Sequence, residues 1–102
     1  MIANAVRGEA ELRLGDEVWR LRPSFAALVA AEAELGPLFG LVERAAAGEL
    51  RLGELAALFW HCVDPCPAGL DRAAFSDALV DGGLAAATPV LRVLLGQILR
   101  GR

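Results

Sequence analysis

The sequence predicts a mainly α protein, an N-terminal β-hairpin followed by a compact bundle of about five helices. Three observations carry that prediction. Ala and Leu fill 38 of 102 positions, and both favour helix. Residues 5–22 alternate apolar and polar, whereas the rest repeats at the helical period. Gly and Pro then divide that remainder into helix-length pieces. A chain of 102 residues is one domain, residues 1–102, because two halves would each be too small to bury a core.

The hairpin spans about residues 5–22, with Gly15-Asp16 as a two-residue turn signal. If Leu14 faces Glu17, then Leu12 faces Trp19 and Ala10 faces Leu21, which makes one face apolar. The other face sets Glu11 against Arg20 and Glu9 against Arg22. Opposite charges across an antiparallel pair contribute roughly 0.2–1 kcal/mol each. A one-residue slip would turn every apolar side chain to the wrong face, so the register is well specified. A lone hairpin is marginal in water and needs helices to cover its apolar face.

The first helix covers about residues 24–35, with Ser24 as its cap, an inward stripe of Phe25, Leu28, Val29 and Leu35, and a stop at Gly36. The second, about 37–47, has Pro37 in its first turn and turns Leu38, Leu41, Val42 and Ala45 inward. Gly48 ends it. The third, about 52–63, is apolar over half its wheel, with only Glu54, Ala57 and His61 opposite, so neighbours are expected on two sides. Pro and Gly make a loop of residues 64–69. Asp71 caps a fourth helix, about 71–81, with Phe75, Ala78 and Leu79 inward and Gly82-Gly83 as its break. The last, about 84–100, buries Leu84, Ala87, Leu91, Leu94, Leu95 and Ile98 and turns Val90, Val93 and Gln97 outward. Pro89 predicts a kink there, or a helix start capped by Thr88.

Composition removes several functions. A net charge of −3 and the absence of Lys argue against a protein held on a nucleic-acid backbone. No predicted helix carries the cluster of Arg on one face that a DNA-reading helix needs. No apolar run approaches the ~20 residues of a membrane span. The first residues lack a basic region followed by an apolar one, so no secretory signal is expected. Without Lys there is neither Schiff-base chemistry nor a P-loop lysine. Nucleophile elbows, phosphate-cradling glycine loops and metalloprotease motifs are likewise missing, so the chain is expected not to be an enzyme.

One cluster invites a metal. His61, Cys62, Asp64 and Cys66 lie within a single short stretch, yet the cysteines are spaced C-x3-C and there is no other Cys or His in the chain. Structural zinc takes four ligands, usually from two paired knuckles, and only carboxylates could complete the set. Adjacent helical residues point apart, so His61 cannot readily activate Cys62. A Cys62–Cys66 disulfide is an alternative, against which stands the missing signal. The simplest reading makes Cys62 core, Cys66 loop and His61 a solvated helix residue, with no metal and no cofactor.

Partner contacts are a different matter. Glu32 falls inside the apolar stripe of the first helix. A carboxylate there needs an Arg, the N–H groups of a neighbouring helix, or an open face offered to a partner. Trp is enriched at interface hot spots, and a small hairpin covers Trp19 poorly. The candidate partner-binding residues are Trp19, Leu21, Glu32, Phe39, Val90 and Val93. Trp60 is read as core, and Glu43, Arg44, Arg100 and Arg102 as solvated charges.

The order of segments is also informative. A hairpin runs into Leu21-Arg22-Pro23-Ser24-Phe25-Ala26-Ala27-Leu28, then Glu32 and Leu35-Gly36. Gly48-Glu49-Leu50-Arg51-Leu52-Gly53-Glu54-Leu55-Ala56 follows, with Trp60 shortly after, and Gly83-Leu84-Ala85-Ala86 opens the last helix. Over nearly the whole chain this resembles the small tail-assembly proteins of gene transfer agents and related siphophage-like prophages, encoded between the tail tube and tape-measure proteins. The resemblance implies a tail assembly chaperone without catalytic residues, acting in the bacterial cytoplasm and absent from the finished particle. Its implied partners are the tape-measure protein and the tail tube protein, with a possible homo-oligomer and no nucleic acid or membrane. A groove that takes an apolar helical stripe would suit that role. A structural tail component or a general helical adaptor are the competing expectations.

Overall fold

Strands β1 (Ala10–Leu14) and β2 (Glu17–Leu21) pair antiparallel in the predicted register, with Leu12 opposite Trp19 and Glu11 opposite Arg20. The computed structural model describes residues 10–14, 17–64 and 69–100. The Gly15-Asp16 turn, residues 5–9 with Glu9, Cys66 and Arg102 lie outside them. Ala10, Leu12, Leu14, Trp19 and Leu21 are all buried, so the alternation places one whole face of the hairpin in the core.

The third piece of extended chain is not legible as a strand. Val63 bridges antiparallel to Leu21. Arg22 N donates to the Cys62 carbonyl at 2.7 Å, and Asp64 N donates to the Arg20 carbonyl at 2.9 Å. The helix therefore ends at Cys62 and not at Val63. Val63 has extended backbone at φ −60° and ψ 121°, which its β-branched side chain suits, and the sequence Asp64-Pro65 disfavours any helix beyond it. The new path brings Asp64 to 3.5 Å from Arg22.

Five helices follow: α1 (Phe25–Leu35), α2 (Leu38–Ala46), α3 (Leu52–Cys62), α4 (Arg72–Asp81) and α5 (Leu84–Arg100). Two of the predicted caps are in place. Ser24 Oγ accepts from Ala27 N at 3.2 Å and Asp71 Oδ1 from Ala74 N at 2.7 Å. Gly36 at φ 91° lets the chain turn so that α1 and α2 meet at 85°. Gly83 at φ 89° does the same where α4 and α5 meet at 113°.

α3 lies at the centre, packed against α1, α4 and β2. Ala56, Ala57, Leu58, Phe59 and Cys62 are buried on it. Ala57, expected outside, is fully enclosed. α1 packs mainly on α3, and its buried residues are Ala27 and Ala31. The expected stripe is thus rotated: Leu28 and Leu35 are half-buried, but Phe25 and Val29 are exposed. Small residues on both helices allow a close approach that a Phe between them would prevent. Leu41 and Val42 from α2, Phe75 and Leu79 from α4, and Ala87, Leu94 and Leu95 from α5 are buried as well.

α5 runs as one helix through Pro89, so it does not begin at Thr88. Thr88 Oγ1 instead donates to the Leu84 carbonyl at 3.3 Å. Leu84 is exposed rather than buried, and Val90 is half-buried against the core. Where α4 ends, Gly82 comes so close to β1 that a Cβ would stand 3.1 Å from Leu14 Cδ2. No single helix among the described residues is long and apolar enough to cross a membrane.

Candidate functional site

Two of the six predicted partner residues are withdrawn from the surface. Trp19 is 8% exposed and packs edge-on against Phe75, ring centroids 5.8 Å apart. Leu21 is fully enclosed between β1 and Val63. Both lie on the hairpin face that the helices cover more completely than its size suggests. Trp60, half-buried, stacks obliquely on the same Phe75, also at 5.8 Å.

Glu32 and Phe39 meet at the corner between α1 and α2. Rotation of α1 leaves Glu32 exposed rather than inside an apolar stripe, and its Oε2 accepts from Leu38 N at 3.0 Å. It caps the helix that Pro37, with no side-chain acceptor, cannot cap. Phe39, the next residue, is 78% exposed, and Phe25 at the start of α1 is 85% exposed.

Val90 and Val93 stand together on α5. With Ala10, Glu11 and Pro89 they line a notch of about 150 Å³ between α5 and β1. The opposite flank of α5 borders a larger groove, about 310 Å³, that sequence reasoning missed. Ala45, Ala46 and Gly48 at the end of α2, with Leu50 and Leu55, form one wall; Leu91, Arg92 and Leu95 form the other. A third depression, about 350 Å³, separates α3 from α4, with Leu52, Gly53, Ala56 and Val80 along it and Asp77 in its lining. α5 is thus bordered by a depression on each of two flanks, and α3 likewise lines two, through Leu55 and through Leu52, Gly53 and Ala56.

Electrostatics around the bundle are structural. Arg72 donates to Glu34 from both terminal guanidinium nitrogens, Nη1 at 2.8 Å from Oε1 and Nη2 to Oε2, and His61 Nε2 lies 2.9 Å from Oε1. This ties α1, α3 and α4 together. Hydrogen bonds from Arg72 and then His61 hold the Glu34 carboxyl down at about 2. His61 is thus engaged with Glu34 rather than merely solvated. Arg44, expected to be a solvated charge, pairs with Glu54 at 2.7 Å. Glu54 also accepts from Arg51 N at 3.0 Å, and the Arg44 bond comes first among the causes that lower its carboxyl pKa. Cys62 is a buried free thiol, pushed up to about 12 by burial, which leaves it unreactive. No group of three His, Cys, Asp or Glu that could hold a metal occurs among the described residues. The grooves carry apolar and small side chains with a charged rim.

Comparison with known families bears on this surface. A family model described as "Phage tail tube protein, GTA-gp10" matches residues 7–101. The chain belongs to this family. No match was found among curated proteins or among solved structures. As a GTA-gp10 family member the chain is related to gene transfer agent and phage tails, which points to tail-related proteins as its partners.

Proposed function

We propose that this chain is a non-catalytic tail assembly chaperone of a gene transfer agent or prophage. It holds amphipathic helical segments of the tape-measure protein and helps bring tail tube subunits to them, acts in the bacterial cytoplasm, and is absent from the finished particle. The observation that carries the reading is α5, whose apolar side chains border the groove against α2 on one flank and the β1 notch on the other. A helix-in-groove mode needs such a wall and an apolar stripe to fill it. A tape measure is a long chain whose amphipathic helices would aggregate if left bare.

A structural tail component is the second reading, favoured by the family's description as a tail tube protein. Against it stands the small sheet, one edge of which is already bridged by Val63. With five residues in each strand, the sheet offers a neighbouring subunit only a short edge to extend.

Co-expression with the tape-measure protein of the same gene cluster tests the proposal. Soluble tape measure only in the presence of this chain, with co-elution on size exclusion, is the expected result. A tape measure that is insoluble, or soluble regardless, with no complex in either case, contradicts it.

A further inference from the structure

α5 carries two parallel rows of side chains. Leu91, Leu95 and Leu99 follow at four-residue spacing, and so do Arg92, Gly96 and Arg100. Residues four apart form a continuous ridge on a helix, so an apolar ridge and a basic ridge lie side by side. Leu91 is half-buried, Leu95 is buried and Leu99 is 59% exposed, so the apolar ridge emerges into solvent at the end of the helix. Leu91, Leu95 and Arg92 also line the groove against α2, which makes the ridges its outer continuation.

Gly96 shapes the basic row. Arg100 folds back over it, so that a Cβ at Gly96 would fall 2.5 Å from the guanidinium. The Arg100 charge is thereby drawn back to the level of Gly96, about 6 Å along the axis from Arg92. Neither arginine makes an ion pair among the described residues, whereas Arg13, Arg22, Arg44 and Arg72 all do. The sequence from Gly82 to Arg102 contains no Asp or Glu, in a chain of net charge −3. An otherwise acidic protein thus keeps this helix free of acids, with two guanidinium groups that form no ion pair among the described residues beside an apolar ridge.

We propose that these paired ridges dock an amphipathic helix whose apolar stripe is flanked by carboxylates about one turn apart. The stripe seats along Leu91, Leu95 and Leu99 and into the groove. Asp or Glu at i and i+3 or i+4 beside it meets Arg92 and Arg100. The apolar ridge supplies most of the affinity, while the charges choose the partner and its orientation. Two guanidinium groups on a net-negative protein fall short of the phosphate neutralisation that nucleic-acid binding needs. The inference rests on the chaperone reading only in taking the docked helix to be a tape-measure segment.

Two synthetic amphipathic peptides test it, with one leucine stripe in common, flanked by Glu in one and by Lys in the other. Each is titrated calorimetrically into the full-length protein at low salt. The Glu peptide is expected to bind about tenfold or more tightly than the Lys peptide. R92E/R100E inverts the preference, and Leu99→Ala weakens both peptides alike. Both arginines are exposed, so the double variant is expected to keep the parent circular dichroism. If it does not, R92Q/R100Q serves instead and brings the Glu peptide down to the Lys peptide's affinity. Equal binding of the two peptides, or a preference unmoved by the substitutions, overturns the proposal. So does tighter binding to duplex DNA or to phosphatidylglycerol vesicles than to the Glu peptide. A charge-blind result alongside an intact tape-measure complex leaves the chaperone role standing. Charge-dependent peptide binding without that complex does the reverse.

Discussion

Trp19 shows how a residue can be right in register and wrong in role. Its pairing with Leu12 follows from the alternation, but its burial depends on Phe75, which lies far along the chain in α4 and meets it edge-on. Its indole N–H is buried with no partner among the described residues. An unpaired buried donor costs about 1–3 kcal/mol, which offsets part of what the large ring gains by packing. Trp19→Phe is therefore expected to stay within about 1 kcal/mol of the parent in urea unfolding, and Trp19→Ala to lose about 3–5 kcal/mol. A Phe variant as damaged as the Ala variant would show that the N–H is satisfied after all. Glu34 gives a prediction in pH. Its folded pKa of about 2 lies below the ordinary 4.5. Such a depressed group stabilises the fold at pH above about 4.5, and that contribution is lost as pH falls toward 2. Glu34→Gln should thus be less stable than the parent near pH 7, with the gap closing in acid. Parallel stability curves for the two proteins contradict the Arg72–Glu34–His61 cluster.

At the scale of elements, local chemistry was legible and rotation was not. Ser24, Asp71, Gly36 and Gly83 act on their immediate neighbours, and each ends or begins its helix as read. Which face of α1 turns inward is a different kind of question. Phe25 and Val29 look like core because they are large and correctly spaced, yet the closeness of α3 selects Ala27 and Ala31. A single-helix wheel holds no information about that distance. Val63 escaped for a similar reason, because a one-residue bridge to Leu21 has no periodicity of its own. The candidate site divides the same way. The exposure of Val93 follows from its outward position on α5, but the groove wall from Ala45, Leu50 and Leu55 comes from other elements. The Arg92–Gly96–Arg100 row beside three leucines was a sequence signal that went unread. Two substitutions test the helices themselves. Asp71→Ala should cost about 1 kcal/mol through loss of the α4 cap. Pro89→Ala restores a backbone donor within α5 and is expected to raise stability by about 1–3 kcal/mol. A melting temperature unchanged by Pro89→Ala would mean that the carbonyl four residues earlier has another partner.

For the molecule as a whole, the central question is whether a tail-family protein of this shape builds the tail or attends its building. Phe59, Phe75, Leu58 and Leu79 are enclosed in one core cluster around α3. Phe59→Ala should cost about 3–5 kcal/mol and, with a single core, lower one cooperative transition. What the core leaves outside includes the Leu99 end of α5 and the exposed phenylalanines at the starts of α1 and α2. The most direct measurement is the number of copies of this chain, counted by quantitative mass spectrometry, in lysates of producing cells and in purified particles. The chaperone account predicts abundant chain in the lysate alongside tube and tape-measure proteins, and its depletion from the particles. Retention at a fixed stoichiometry to the tube subunit would contradict that account and make the chain a structural part of the tail.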